Sequence, residues 1–207
     1  AYENSSQRRV WFTEYSRDRI GVIIDWIRDS PPPEANKKYN LTEFIISNGA
    51  GPRGIALELN YNTTEPDYPK GTNTVRVWFT EFNKGAIGAL YLNYSKEENR
   101  HRSLIFEWYL PDSNSQPLSI IYVNGKVWFT EYQGDRIGCL ELIDEKQNKT
   151  FIKEWPLTPG SRPWGISNDT YGNIWFTLSG RNRIGKLNPY TNEITEYLIP
   201  TPNAGPR

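Results

Sequence analysis

The sequence predicts an all-β fold, a β-propeller of four-stranded antiparallel blades, and three observations predict it. Trp-Phe-Thr recurs at 11–13, 78–80, 128–130 and 175–177. Ten residues after each Trp stands a glycine preceded by isoleucine, at Gly21, Gly88, Gly138 and Gly185. The 207 residues include 16 Gly and 15 Pro, spread evenly, which is punctuation for many short turns. Self-similarity on this scale marks a repeat architecture, in which each copy is one small sheet that buries its apolar faces against its neighbours.

The elements follow in order. The centre of each copy reads RVWFTEYSRDRIG, RVWFTEFNKGAIG, KVWFTEYQGDRIG and NIWFTLSGRNRIG. Bulky and polar positions alternate on either side of a polar tip, which is a β-hairpin of two strands, b and c. Downstream comes strand d with a Glu-aromatic pair, at 41–47, 104–110, 151–157 and 194–200. Upstream of three copies, strand a opens with Pro-x-(Gly/Ser)-Ile from Pro52, Pro117 and Pro163. The Trp-to-Trp distances of 67, 50 and 47 residues approach those of a propeller blade once loop insertions are set aside. Trp11, Trp78, Trp128 and Trp175 are then packing residues, expected to be largely buried between sheets. A solenoid is the competing architecture, but no segment of helical period separates the strands.

One β-propeller domain is expected over 1–207. Its blades are approximately 1–48, incomplete for want of strand a, then 49–112, 113–159 and 160–202, followed by the start of the next blade in TPNAGPR. Closed propellers have four to eight blades, so an arc of about four is expected to belong to a larger ring. With no methionine, even at position 1, the chain is expected to begin inside a processed or longer one.

Composition narrows the function. The 24 basic and 24 acidic side chains balance, which argues against a nucleic-acid binder, because such proteins need surplus cations to displace counterions from phosphate. No apolar run approaches the roughly 18 to 20 residues of a membrane span. Cys139 is the one cysteine, so no intrachain disulfide exists, and its place after Ile-Gly predicts a buried, inert thiol. Asn-x-Ser/Thr occurs six times, at Asn4, Asn40, Asn62, Asn93, Asn148 and Asn168, where composition alone gives about 2.5. This predicts an extracellular or cell-surface glycoprotein.

Antiparallel strands put the b–c and d–a loops on one face and the a–b and c–d loops on the other. All six sequons map to the second face, with the long insertions 25–39, 60–74 and 93–102. The first face has short loops and carries Glu14, Tyr15, Arg19, Phe82, Tyr132, Arg136 and Arg183. Arginine beside aromatics and carboxylates suits recognition of a protein or glycan partner. A ring of Glu14, Glu81 and Glu131 could hold a divalent cation, or each could pair with Arg19 or Arg136. No metal site is assigned on that choice. Zinc-type Cys/His spacing, a phosphate-binding glycine loop, a Ser-His-Asp set and an EF-hand loop are all missing from the sequence.

The run N/K-V-W-F-T-E-Y-x-x-x-R-I-G, the (I/L)-T-E-(Y/F) strand after it and the Pro-x-Gly-Ile strand before it resemble the virginiamycin B lyase (streptogramin B lyase) family. The resemblance covers essentially the whole chain, four times over. It implies a seven-bladed β-propeller and, for the family's enzyme, a magnesium-dependent elimination that opens a cyclic depsipeptide antibiotic. It also implies catalytic histidines at the x of Pro-x-Gly-Ile and an acidic partner at the Glu of Trp-Phe-Thr-Glu. Here the x positions are Arg53, Leu118, Trp164 and the terminal Arg207. The matching acids are Glu81 and Glu131, with Glu14 in the incomplete blade and Leu178 departing from the pattern. The one histidine, His101, falls in the polar run KEENRHRS, expected to be an exposed c–d loop. The sequence therefore reads first as a secreted or cell-surface binding or structural module, related to the lyases but without their histidines in these residues, and with no cofactor. The alternatives are a magnesium-dependent lyase whose histidines lie outside these residues, and a metal-dependent, lactonase-like hydrolase.

Overall fold

In the computed structural model the described residues are 6–27, 40–58, 75–95, 100–144 and 149–207, and they form fifteen strands in four antiparallel sheets. The first sheet has three strands, β1 (Ser6–Glu14), β2 (Arg19–Ile27) and β3 (Asn40–Ile45). The second is β4 (Pro52–Glu58), β5 (Val75–Glu81), β6 (Ala86–Ser95) and β7 (Arg100–Tyr109). The third is β8 (Pro117–Val123), β9 (Lys126–Glu131), β10 (Arg136–Asp144) and β11 (Lys149–Pro156). The fourth is β12 (Pro163–Asn168), β13 (Ile174–Leu178), β14 (Arg183–Asn188) and β15 (Glu193–Leu198). Each complete sheet runs a-b-c-d in chain order, and the first supplies b, c and d. This is the all-β propeller architecture that the repeat predicts, and we call the sheets blades 1 to 4.

The register explains the ten-residue spacing from Trp to Gly. Phe12, Phe79, Phe129 and Phe176 sit opposite Gly21, Gly88, Gly138 and Gly185 across the b–c hairpin. Each ring lies flat over its glycine, so a Cβ there would collide with the ring. Glycine is required here to make room for the ring. One residue earlier, each Trp points to the other side of the sheet. Trp78 and Trp128 are buried between successive blades, at 1% and 4% exposure. Trp11 and Trp175 are only half-buried, stacked on Phe44 and Tyr197 of their own blades. Trp78 has blade 3 on its far side, with Ile120, Val127 and Phe129 in the same cluster. Trp175 has no following sheet against it among the described residues.

Strands a pack on one another, β4 against β8 and β8 against β12, while β1, the strand b of blade 1, packs against β4. The blades are also pinned by a polar network. Buried Glu58 accepts from Arg76 (3.0 Å), from the Trp78 indole (3.0 Å) and from the Tyr122 hydroxyl of blade 3 (2.7 Å), which ties blade 2 to blade 3.

Two sequence expectations change. The insertion expected at 93–102 is largely strand, because β6 continues to Ser95 and pairs residue by residue with β7 from Arg100. Asn93 therefore stands opposite Arg102, and His101 lies on β7 opposite Tyr94 instead of in a loop. A strand-d edge is open to water on one side, so a polar run can pair there. Likewise β2 carries residues 25–27 of the first expected insertion. The rest of that insertion and 60–74 lie outside the described residues, as do Asn4, Asn62 and Asn148. Asn40 opens β3 and Asn168 ends β12, exposed, so these two and Asn93 stand at or near the a–b and c–d ends of their strands.

Candidate ligand face at the b–c and d–a loops

The threonine of Trp-Phe-Thr sets where the x residues sit. The Thr80 hydroxyl accepts the Gly54 N–H of its own strand a (2.8 Å) and donates to the Leu118 carbonyl of the next blade (3.1 Å). Thr130 does the same with the Ser119 N–H (3.0 Å) and the Trp164 carbonyl (3.0 Å). Thr13 donates to the Arg53 carbonyl (3.0 Å), and Thr177 accepts the Gly165 N–H (2.8 Å). A hydroxyl both donates and accepts, so one Thr can stitch two blades. The glycine after x allows the close approach: a Cβ on Gly54 would meet the Leu118 carbonyl oxygen at 2.6 Å.

A second device ties the b–c turns to the d–a connections. Asp18 and Asp135 adopt the left-handed conformation, at φ 51° and 49°. Their carboxylates each accept two backbone N–H groups from the d–a loop, Gly49 and Gly51 for Asp18, Gly160 and Arg162 for Asp135, all at 2.7–2.8 Å. Asn182 repeats this at φ 55°, accepting from Ala204 and donating to Ile199 and Thr201. Short polar side chains tolerate this conformation and bond locally, which fits them to the position. The loops of this face are thus fastened before any ligand arrives.

On that frame the x residues meet the aromatics that follow Trp-Phe-Thr-Glu. The guanidinium of exposed Arg53 lies 4.4 Å over the Tyr15 ring and 4.3 Å over the Phe82 ring, two rings from two blades that meet edge-on at 6.3 Å. Tyr15 also donates to Asn83 (3.1 Å). Further round, Trp164 meets Tyr132 edge-on at 5.6 Å, and Arg207 lies 4.9 Å over Trp164. Leu118, the third x residue, is buried at 7%. The structure therefore brings Tyr15, Phe82 and Arg53 into one cluster and places Tyr132 in a second one.

The carboxylates form a separate set. In blade 3, Arg136 stands between Glu131 (3.8 Å) and Glu154 (3.8 Å), with Asp112 at 3.4 Å. In blade 1, Arg19 pairs with Glu43, and half-buried Glu14 sits opposite Arg19 in the register. In blade 4, Arg183 reaches Glu196 (3.6 Å) and Leu178 takes the place of the first acid. Blade 2 keeps both acids, Glu81 and Glu107, but has Ala86 where the arginine would be. Burial, then the neighbouring Glu107, pushes the Glu81 carboxyl up to about 8. Burial and Glu154 push Glu131 up to about 7.

These positions correct the ring of three acids. Glu81 and Glu131 have no exposed surface, so they do not line an open mouth. Magnesium takes several oxygen ligands in a near-octahedral set and keeps some of its water. Among the described residues no group of three or more Asp, Glu, His or Cys converges, so the family-matched acids do not fit a magnesium site as they stand. Cys139 is buried, with burial pushing its thiol up to about 12, which matches the inert thiol expected from the sequence.

The inter-blade threonines and Asp18/Asp135 are what sequence reading passes over. Their signal is in the repeat itself: Thr in all four copies, and Asp or Asn before Arg-Ile-Gly in three.

The sheets and this face define an arc of a β-propeller. The model of the virginiamycin B lyase family matches residues 42–207, and the chain belongs to that family. The crystal structure of virginiamycin B lyase from Staphylococcus aureus is 31% identical, with a TM-score of 0.66 over 98% of this chain and 56% of that one. A streptogramin B lyase structure is 27% identical, with a TM-score of 0.61 over 100% of this chain and 69% of that one. A catalytically inactive His→Ala variant of the Staphylococcus aureus enzyme with quinupristin is 26% identical, with a TM-score of 0.60 over 97% of this chain and 62% of that one. The chain thus spans 56% of the length of the first of these enzymes. No curated protein matches it in sequence.

Proposed function

We propose that the chain is the ligand-facing arc of an extracellular or cell-surface β-propeller, which binds the polar group of a protein or glycan partner at its b–c/d–a face. One observation carries the reading: Arg53 occupies the position where the family resemblance calls for histidine. A guanidinium held over the corner of two rings offers its N–H groups to carboxylate or hydroxyl acceptors. It cannot act as a base near neutrality. The six sequons support the extracellular setting, since those near described strands stand at the opposite ends from Arg53. Binding of purified protein to an immobilised glycan panel and to surface-protein extracts tests this, with Arg53→Ala alongside. Loss of about tenfold or more in affinity is expected on that substitution, which removes a stacked, charge-assisted contact. Equal binding by the variant would overturn the reading.

The second reading is a magnesium-dependent lyase. It is favoured by the family match, and by the solved enzyme whose His→Ala variant is inactive. Release of linear product from a streptogramin B antibiotic by the full-length chain, dependent on magnesium and lost on Glu131→Gln, would establish it over the first.

A further inference from the structure

The junction of blades 2 and 3 is filled by its own side chains, and the junction of blades 3 and 4 is not. Between blades 2 and 3, Tyr122 stacks on Trp78 at 6.5 Å, and Arg76, at 2% exposure, lies 4.4 Å over the Tyr91 ring. Strand register matches Glu58, Arg76 and Tyr91 of blade 2 with Val123, Lys126 and Glu141 of blade 3, and Tyr122 of blade 3 with Asn168 of blade 4. Two rings, a guanidinium and a carboxylate thus give way to smaller groups. Exposed Asn168 is too short to repeat the tyrosine's stack and gives its amide to the Asp169 carbonyl (3.2 Å).

A cavity of about 180 Å³ stands there, at the a–b and c–d ends of the two blades. That is room for one six-membered ring, since a cavity of about 150 Å³ admits benzene. The stacked pair Trp128 and Trp155, 5.3 Å apart, forms its floor, and Phe151 and Tyr190, 53% and 80% exposed, stand at its mouth. A packing void would be apolar throughout, but this lining also holds Lys126 paired with Glu141 (2.8 Å), and Lys153 at 4.6 Å over Trp155. Lys153 donates to Asn192 (2.6 Å) and meets no carboxylate among the described residues, so two lysines face one glutamate and the lining is left positive. Trp78 gives its indole N–H to Glu58 and Trp175 gives its own to Asp169, whereas the Trp128 indole has no acceptor among the described residues. A donor left without a partner away from water costs more than the bond itself would gain.

We propose that this cavity binds a pyranose ring that carries a carboxylate, the chemistry of a uronic acid. The C–H face of such a ring covers an indole, its hydroxyls both donate and accept, and its carboxylate supplies the anion that Lys153 lacks. The Trp128 N–H and the Lys126–Glu141 pair offer those hydroxyls donors and an acceptor around an apolar floor, which is how a pocket fixes a ligand's orientation. Aromatic walls also suit an organic cation, but the surplus positive charge disfavours one. An aromatic acid would fill the volume and pair with Lys153, yet it brings no hydroxyls to the Trp128 N–H or to Glu141. The site lies on the face opposite Arg53 and does not rest on the function proposed for that face, so the failure of either leaves the other standing.

Titration of the full-length protein with methyl glucuronide, followed by calorimetry and tryptophan fluorescence, tests the site. The protein is produced without N-glycans, because Asn168 shares a sheet face with its cross-strand partner Ile174, which lines the cavity. Methyl glucoside is the neutral isostere, and benzoate is the ring acid without hydroxyls. The uronide is expected to bind at millimolar concentration or better, and about tenfold more tightly than either. Lys153→Gln should remove the preference over methyl glucoside, and since Lys153 is exposed the variant should melt like the wild type. Asn168→Tyr should refill the cavity as Tyr122 fills the preceding junction, and so abolish binding while keeping the fold. Arg53→Ala should bind the uronide as the wild type does. Four results would each overturn the proposal: no saturable binding of the uronide, equal binding of glucoside or benzoate, a preference for the uronide that survives Lys153→Gln, or unchanged binding by folded Asn168→Tyr. Loss of binding on Arg53→Ala would overturn it as well, by placing the sugar on the other face.

Discussion

Blades 2 and 3 have the same four strands, with the same Pro-to-Ile irregularity at the start of strand a and the same Phe-over-Gly pair, yet they treat their two glutamates differently. In blade 3, Arg136 joins Glu131, Glu154 and the preceding d–a loop through Asp112. In blade 2, Ala86 leaves Glu81 and Glu107 to each other. The lesson is that the backbone of a repeat does not depend on its charged set. The Phe-over-Gly contact and the Thr clamp hold the geometry, so one blade can lose its arginine without losing its strands. Its acids then become a titrating pair.

The largest expected effect comes from making blade 3 resemble blade 2. Arg136→Ala strips the cation from Glu131 and Glu154 and should cost about 2 kcal/mol near pH 8, less than a fully buried pair because Arg136 is partly solvated. Urea unfolding should show most of that loss vanishing near pH 5, where the acids can take up protons. A pH-independent loss would mean that Arg136 works through packing alone.

The converse, Ala86→Arg, should stabilise by about 1 to 2 kcal/mol near pH 8 and do little near pH 5. The sign follows from the protons. Glu81 holds its proton in the folded chain up to about 8, whereas the unfolded chain loses it at the ordinary 4.5. Between those values the folded state binds more protons, so this contribution is complete below 4.5 and is lost as pH rises through 8. Wild-type stability should therefore fall from pH 5 to pH 8.5, and Ala86→Arg and Glu81→Gln should each flatten that fall. A wild-type curve that rises across the window would show that the acids are not protonated.

The smallest effect concerns the position that is Ala89 in blade 2 and Cys139 in blade 3, each buried beside its blade's tryptophan pair. Cys139→Ala should cost less than about 1 kcal/mol, since one sulfur is removed from a partly forgiving site. In the folded wild type the thiol should not react with an aromatic disulfide reagent until urea unfolds the chain. Rapid labelling of the native protein would mean that blades 3 and 4 part more easily than blades 2 and 3.

The sequence alone determined the hairpins, the blade order and the buried Trp78 and Trp128, because Phe-over-Gly packing and period-two alternation are local in the chain and repeat four times. It also placed Arg53 at the family's x position. Only the tertiary structure decided what those residues meet. The Arg53 contacts need Tyr15 from one blade and Phe82 from another, and the Thr80 clamp needs Leu118, thirty-eight residues away. Glu81 and Glu131 read as mouth-lining acids because their sequence position is the end of a strand. Their burial depends on Glu107 and Glu154 folding back beside them, which no local pattern encodes. The polar run around His101 read as a loop for a related reason: polarity reports contact with water, and a paired edge strand meets water as readily as a loop does.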